Sequence, residues 1–572
     1  MRNFMRFLRK QRNGRRARGE VYPNEVFLDA SNLPQFDRHQ FEGRIERPIS
    51  RRTALMLGGV FCVALILILL RTFSLQIRDG ERYADLSAQN RLRHSLIFGS
   101  RGVLYDRNKI LLAWNIVDRT EPEFSKRAYL REPGLAHVLG FMKYPSKDKF
   151  GFYYKVDFEG RAGVEKYYNE YIAPQHGIKI VETDAFGNVA SESVLKPPKD
   201  GGNVTLSIDA RISRALYTFI ERLATERGFT GGAAVIMDVK NGELLSLVSF
   251  PEYDSQILTD GVDRVAIQKA LDSPQMPFLN RATNGLYTPG SIIKPFIALA
   301  ALAEGVITPE KEIVSTGSIS VPNPFDRNKP SVFRDWKAHG AVDARRAIAV
   351  SSDVYFYEIG GGFEEQRGLG IEKIEKYVRM FGFGEEPPGN DFFGEAGVIP
   401  TPEWKRRTFD GESWNLGNTY HTAIGQYGFQ VTPLQVVRAI AAVGNGGRLL
   451  EPRLLHEDDV SPAYTLIPID ASAFEVVREG MRDAVTAGGT ASGLYIPGVS
   501  VAGKTGTAEL GISKKLVHSW VAGFFPYEKP RFAFAIIMER GPRENTIGAT
   551  FVGRQLLEWI QVYAPEYLKS AN

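Results

Sequence analysis

One cysteine in 572 residues leaves little room for sulfur chemistry. The lone thiol, Cys62, sits inside an uncharged apolar run, so the rest of the chain has no disulfide and no thiolate metal ligand and must be held by packing. Also missing are a glycine-rich phosphate loop and any nucleic-acid motif. Asp335 and His339 have the i, i+4 spacing of a metal pair, but no third ligand stands near them. We read that pair as surface polarity and expect neither metal nor cofactor. With 43% hydrophobic and 24% charged residues the composition is ordinary globular material, long enough for two to four domains.

Net charge is absent from the body of the chain. Residues 1–52 hold 13 Lys/Arg and 6 Asp/Glu, a net of +7, whereas the whole chain carries only +5. The remainder is therefore slightly acidic, and the basic balance belongs to a tail. Directly after Arg51-Arg52, Thr53 to Leu70 runs 18 residues without a charge. At 1.5 Å per residue that is ~27 Å, about a bilayer core. No small-residue cleavage site follows, so an uncleaved anchor is expected over 53–77. The positive-inside bias leaves residues 1–52 in the cytoplasm and exports the rest. Attraction to anionic lipid, not nucleic-acid binding, explains the tail.

Residues 78–225 read as mixed and turn-rich, with an amphipathic helix signal near Glu81 to Arg93. Two segments stand out there, Arg101-Gly-Val-Leu-Tyr-Asp-Arg107 and Gly160-Arg-Ala-Gly-Val-Glu-Lys166, which we read as tight turns tied by local ion pairs. After residue 225, Ala233 to Phe250 forms two apolar β-branched runs around Asn241-Gly242, a hairpin signal, and Ser519 to Glu539 forms a second pair around Pro526 to Pro530. Helical patterns at Ser291 to Ala303 and Ser351 to Ile359 lie between. The prediction is an α+β fold whose C-terminal strands return to pair with the early ones.

Three motifs then occur in order: Ser291-Ile-Ile-Lys294, Ser351-Ser-Asp353 and Lys504-Thr505-Gly506-Thr507, with the second and third 60 and 213 residues after the first. Ser-x-x-Lys also occurs at Ser146–Lys149 and Ser193–Lys196, but in charged, loop-like sequence. Only at Ser291 does an apolar helix follow, placing the Lys294 amine on the face of the Ser291 hydroxyl. A serine hydroxyl needs a base, and a lysine can serve when burial and neighbouring positive charge keep it partly neutral. Ser351 fits a proton relay and Asp353 an orienting group, although Ser-Ser-Asp is also a good helix cap. Lys504 and Thr505 fit a carboxylate, the small Gly506 admits a substrate backbone, and the N–H groups of Ser291 and Thr507 would form an oxyanion hole.

At these residues the chain resembles the class B penicillin-binding proteins, membrane-anchored D,D-transpeptidases of peptidoglycan synthesis. The resemblance includes both charged glycine segments, Asn280-Arg-Ala-Thr283, Phe333-Arg-Asp-Trp336, Ile424-Gly-Gln426, Thr432-Pro433 and His518-Ser-Trp520. Asn280-Arg-Ala-Thr, Arg334-Asp-Trp-Lys337 and Asp353 point to the elongation type, penicillin-binding protein 2, rather than the division type. The resemblance implies a tail over 1–52, an anchor over 53–77, a non-catalytic pedestal over 78–225 and a transpeptidase domain over 226–572. In that last domain it implies an antiparallel five-stranded sheet packed between helices. It further implies a stem-peptide donor ending in D-Ala-D-Ala, acylation of Ser291 by β-lactams, and a polytopic glycosyltransferase of the shape, elongation, division and sporulation family as partner. Two departures are visible. Asp353 stands where many relatives have asparagine, a charge that would raise a neighbouring lysine's pKa, and only a short connection joins Asn115 to His137 where relatives insert a head subdomain. A serine β-lactamase would need a second carboxylate, and no Glu-x-x-Leu-Asn-like segment follows the second motif. A penicillin-acylated sensor is the remaining alternative, and its cytoplasmic segment shows no signalling domain.

Overall fold

The computed structural model describes residues 50–569 apart from 85–91, 120–122, 184–188, 324, 325, 327, 389–393, 458–460 and 487. The basic tail, up to residue 49, lies outside the described residues, as does most of the amphipathic segment expected near Glu81 to Arg93. That expectation needs a correction at its end, because Arg93 lies on a strand, Leu92–Ile97.

The described residues fall into two compact units, divided between Leu92 and Arg93. In the first, helix α1 (Arg51–Phe73) starts at an N-cap where Ser50 accepts from the Thr53 N–H, and continues through a π-helical turn to Arg78. It is 28 residues long with that turn, buries nothing, and is long and apolar enough to cross a membrane. Cys62 lies exposed on it.

The second unit begins with short strands and tight loops. Leu111–Ile116 pairs antiparallel with Lys126–Tyr129. The two charged glycine segments are not separate local turns. Arg101 Nε donates to Glu165 Oε2 at 2.5 Å, and Arg127 Nε to Glu165 Oε1 at 2.8 Å, so ion pairs join residues 64 and 38 apart in sequence. All three side chains are buried. Burial alone would raise the Glu165 carboxyl, but Arg127 and Arg101 overcome it and hold the group below the usual range.

The larger part is built on five antiparallel strands: β1 (Gly231–Asp238), β2 (Leu244–Phe250), β3 (Ala502–Leu510), β4 (Leu516–Phe525) and β5 (Phe532–Pro542), in the order β2-β1-β5-β4-β3. The Asn241-Gly242 hairpin forms as the sequence predicts, with Gly242 at φ +79°. The long-range pairing forms too: Ala233 faces Ile537 and Met237 faces Ala533. Alternation along β1 sorts side chains to two layers. Ala233, Val235 and Met237 join a core with the helices α3 (Lys294–Ala303), α4 (Ala344–Val350), α5 (Asp353–Gly361), α6 (Pro433–Gly444) and part of α7 (Ala471–Thr486). Ala234 and Ile236 join a second core with α2 (Ala210–Arg227) and α8 (Ala549–Tyr563). The sheet is thus sandwiched between helices, and β3 is left as an edge strand beside α7 and the turn that precedes α3.

Candidate active site

The Ser291 motif opens with a 3-10 turn, Gly290–Ile293, and the α-helix begins at Lys294. Two glycines make this turn possible. Gly290 has φ +56°, and a Cβ there would lie 2.7 Å from the Thr507 carbonyl on β3. Gly425 has φ +73°, and a Cβ on it would lie 2.3 Å from the Gly290 carbonyl, while the Gly290 N–H donates to Gly425 O at 2.9 Å. Any other side chain at either position would push the nucleophile turn off the sheet edge. Trp520 Nε1 fixes the approach by donating to Thr288 O at 3.1 Å, and Arg281 ties the preceding loop to β5 through Glu539 at 2.5 Å.

The three motifs converge. Lys294, fully buried, donates to Ser351 O at 2.8 Å, Ser351 Oγ at 3.3 Å and Asp353 Oδ1 at 2.6 Å. Its ammonium also lies 5.3 Å from the centroid of the Phe356 ring. Lys504, equally buried on β3, donates to Ser351 Oγ at 2.9 Å and to Thr505 O at 2.9 Å. The Ser351 hydroxyl therefore sits between two amines. Ser291 itself is half-buried, and its hydroxyl makes no hydrogen bond with any described residue. The expected Lys294 to Ser291 contact is not formed, because Ser351 and Asp353 take all three Lys294 hydrogens.

The second motif differs from its sequence reading. Ser351 is not a helix-opening residue but the C-cap of α4, in left-handed conformation at φ 57°, ψ 42°. Non-glycine residues adopt this at a cost of ~1 kcal/mol and do so where surroundings enforce it. Ser352 is the N-cap of α5, accepting from the Tyr355 N–H. The kink between α4 and α5 is what turns the Ser351 hydroxyl toward both lysines.

Asp335, read from sequence as surface polarity with His339, holds that kink. Both side chains are buried, with His339 Nε2 3.5 Å from Asp335 Oδ1. Asp335 Oδ2 accepts from Ser352 Oγ at 2.8 Å, the Val354 N–H at 3.0 Å and Ser315 Oγ at 3.1 Å. Burial works to raise its carboxyl, but the N–H groups of Val354 and Asp353 and the Ser352 hydroxyl outweigh it and keep the group ionised. Among the described residues no three His, Cys, Asp or Glu side chains gather as a metal site. The sequence signal for Asp335 was the Phe-Arg-Asp-Trp segment, whose job only the fold reveals. We expect Asp335→Ala to slow acylation of the protein by penicillin by ~100-fold, since displacement of a positioned group by about 1 Å has that scale. Asp335→Asn should recover part of the rate, and stopped-flow labelling checks both.

Thr490 was also missed: its hydroxyl lies 2.9 Å from Thr505 Oγ1, fixing a side chain of the third motif. Electrostatically, Lys504 is the most displaced amine in the site. Burial and then the charge on Lys294 push it well below its usual value, and Asp353 pulls weakly the other way. A lowered amine becomes neutral at lower pH, so a step needing neutral Lys504 speeds up as pH rises through that lowered value. We expect acylation to climb and then level off well below the pH at which free lysine titrates, and a pH–rate profile of penicillin labelling tests this. The decoy Ser-x-x-Lys copies fall elsewhere, Ser146 on a two-residue strand and Ser193 on a wholly exposed one.

A family model described as penicillin-binding protein transpeptidase domain matches residues 232–557, the part that carries all three motifs. The chain belongs to the penicillin-binding protein transpeptidases. A second model, the penicillin-binding protein dimerisation domain, matches residues 121–206. Among curated relatives, the peptidoglycan D,D-transpeptidase MrdA of Haemophilus influenzae is 31% identical over 82% of this chain and 73% of its own length. The protein of the same name from Escherichia coli K12 is 27% identical over 90% and 94%. Among solved structures, penicillin-binding protein 2 of Pseudomonas aeruginosa in complex with WCK 5153 is 28% identical, with a TM-score of 0.68 over 83% of this chain and 98% of that one. Penicillin-binding protein 2 of Helicobacter pylori in complex with MreC is 26% identical, again at 0.68, over 82% and 99%.

Proposed function

We propose that this transpeptidase cross-links peptidoglycan through an acyl-enzyme on Ser291, in the elongation mode of the relatives named MrdA. The single observation that carries the reading is the Ser351 hydroxyl held between Lys294 and Lys504 beside the Ser291 turn. In this reading Lys294 first gives a hydrogen to Ser351 Oγ, whose own proton passes to Lys504, the amine pushed toward neutrality. The freed Lys294 amine then takes the Ser291 proton as the Ser291 oxygen bonds to the penultimate D-Ala carbonyl carbon. Asp353 orients Lys294. The N–H groups of Ser291 and Thr507 stabilise the oxyanion, and Thr505 with Gly506 receives the donor along the β3 edge. The C–N bond then breaks, terminal D-Ala leaves with the returned proton, and an acceptor-stem amine attacks the ester to free Ser291.

The family-model spans support a pedestal over 78–225 and a transpeptidase domain over 226–572. The apolar α1 and the basic tail support a single-pass inner-membrane anchor with a cytoplasmic N-terminus and an external site. A polytopic glycosyltransferase of the shape, elongation, division and sporulation family fits as a partner through anchor and pedestal. Docking of a scaffold such as MreC, seen with the Helicobacter pylori protein, must here do without the head subdomain.

The test uses the full chain in detergent with a fluorescent penicillin and, separately, with a pentapeptide donor and an amine acceptor. A label stable for hours and a donor–acceptor product are expected. Rapid loss of label would mean a lactamase, and a stable label without transfer would mean a sensor or carboxypeptidase.

A further inference from the structure

A cavity of about 310 Å³ opens where the β1–β2 turn, the end of α6, the β4–β5 turn and α7 meet, and no residue of the three motifs lines it. Its walls carry five cations, Lys240, Arg448, Arg478, Lys529 and Arg531, and no carboxylate. Like charges gathered this way repel one another, so their neighbours matter. Arg478 is 3.0 Å from Glu475. Arg531 acts on the Asp238 carboxyl and donates to the carbonyls of Glu566 and Lys569. Arg448 lies over the Tyr464 ring. The amines of Lys240 and Lys529 make no hydrogen bond or ion pair with any described residue, and Arg478 Nε is buried without a partner.

With Glu475 and Asp238 set against the five, three positive charges remain. The C-terminal end of α6 faces this region and attracts cations, but a helix end carries only about half a charge. That offsets about half of one lysine's charge and leaves the rest. A single carboxylate would also leave a surplus, whereas a phosphate brings about two charges and three acceptor oxygens. Guanidinium forks and mobile ammonium groups are the donors that phosphate recognition uses.

We propose that this cavity is a second ligand site of the protein, taking a phosphate or diphosphate group. Soluble phosphates and lipid head groups that end in a phosphate monoester or diphosphate offer the same chemistry. The inference does not rest on the transpeptidase reading, since the motifs lie elsewhere.

The full chain in neutral detergent is titrated with inorganic pyrophosphate by calorimetry at fixed ionic strength, alongside the K240E/K529E variant, which keeps the basic tail. Wild type is expected to bind at least tenfold more tightly than the variant, while both are acylated by penicillin at the same rate, showing that the variant is folded. Displacement of pyrophosphate by soluble dihexanoyl phosphatidic acid, a phosphate monoester, would assign the site to a lipid head group, and lack of displacement to a free phosphate. Equal binding by wild type and variant, or no wild-type binding above a chloride control, would overturn the proposal.

Discussion

Ser291→Ala is expected to abolish covalent labelling by penicillin and to reduce donor–acceptor transfer to background, a loss of roughly a millionfold if the nucleophile here matters as it does in other serine acyl-transfer sites. The same variant should melt within about 0.5 kcal/mol of wild type, because the Ser291 hydroxyl is half-buried and makes no hydrogen bond with any described residue. Labelling read by gel fluorescence and unfolding read by calorimetry together separate a chemical role from a structural one. Persistent label on the alanine variant would remove Ser291 as the acylated residue.

Glu165→Gln should have the opposite signature, a large loss of stability with no direct chemical role. The substitution leaves Arg101 and Arg127 charged and buried without a counter-ion, and breaking such a pair from one side costs about 3–5 kcal/mol. Tyr129 also loses a carboxylate acceptor at 3.3 Å. The pH dependence follows from the lowered Glu165 carboxyl. Its contribution is present above the ordinary glutamate range and is lost as pH falls through the lowered value. Wild type should therefore lose more stability on acidification than Glu165→Gln, and urea midpoints measured across that range check it. A variant as stable as wild type would show that the hub is not what joins the two glycine segments.

Much of this is legible in the amino-acid sequence. The hairpin at Asn241-Gly242 was legible because a glycine after asparagine takes by local preference the positive φ that the reversal needs, and the anchor because membrane thickness fixes the length of an apolar helix. Ser291 was separable from its two decoys because its helix continues as a buried apolar face. Local rules were weakest where partners are distant in sequence. Arg101 looked like half of a local turn pair, yet its carboxylate is 64 residues away. Asp335 looked solvated beside His339, yet it is buried under Ser352, Val354 and Ser315.

The second motif shows the division most sharply. The order of the three motifs, matched to the pattern of the penicillin-recognising enzymes, singled out Ser291, Lys294, Ser351, Asp353 and Lys504 as one set. The tertiary structure decided which atoms meet. The left-handed turn at Ser351, enforced by packing between α4 and α5 and by Asp335, aims one hydroxyl at two lysines. Asp353 therefore pairs with Lys294, whereas burial and the Lys294 charge push Lys504 down. Burial and distance set those energies, and neither is a property of a residue's place in the chain.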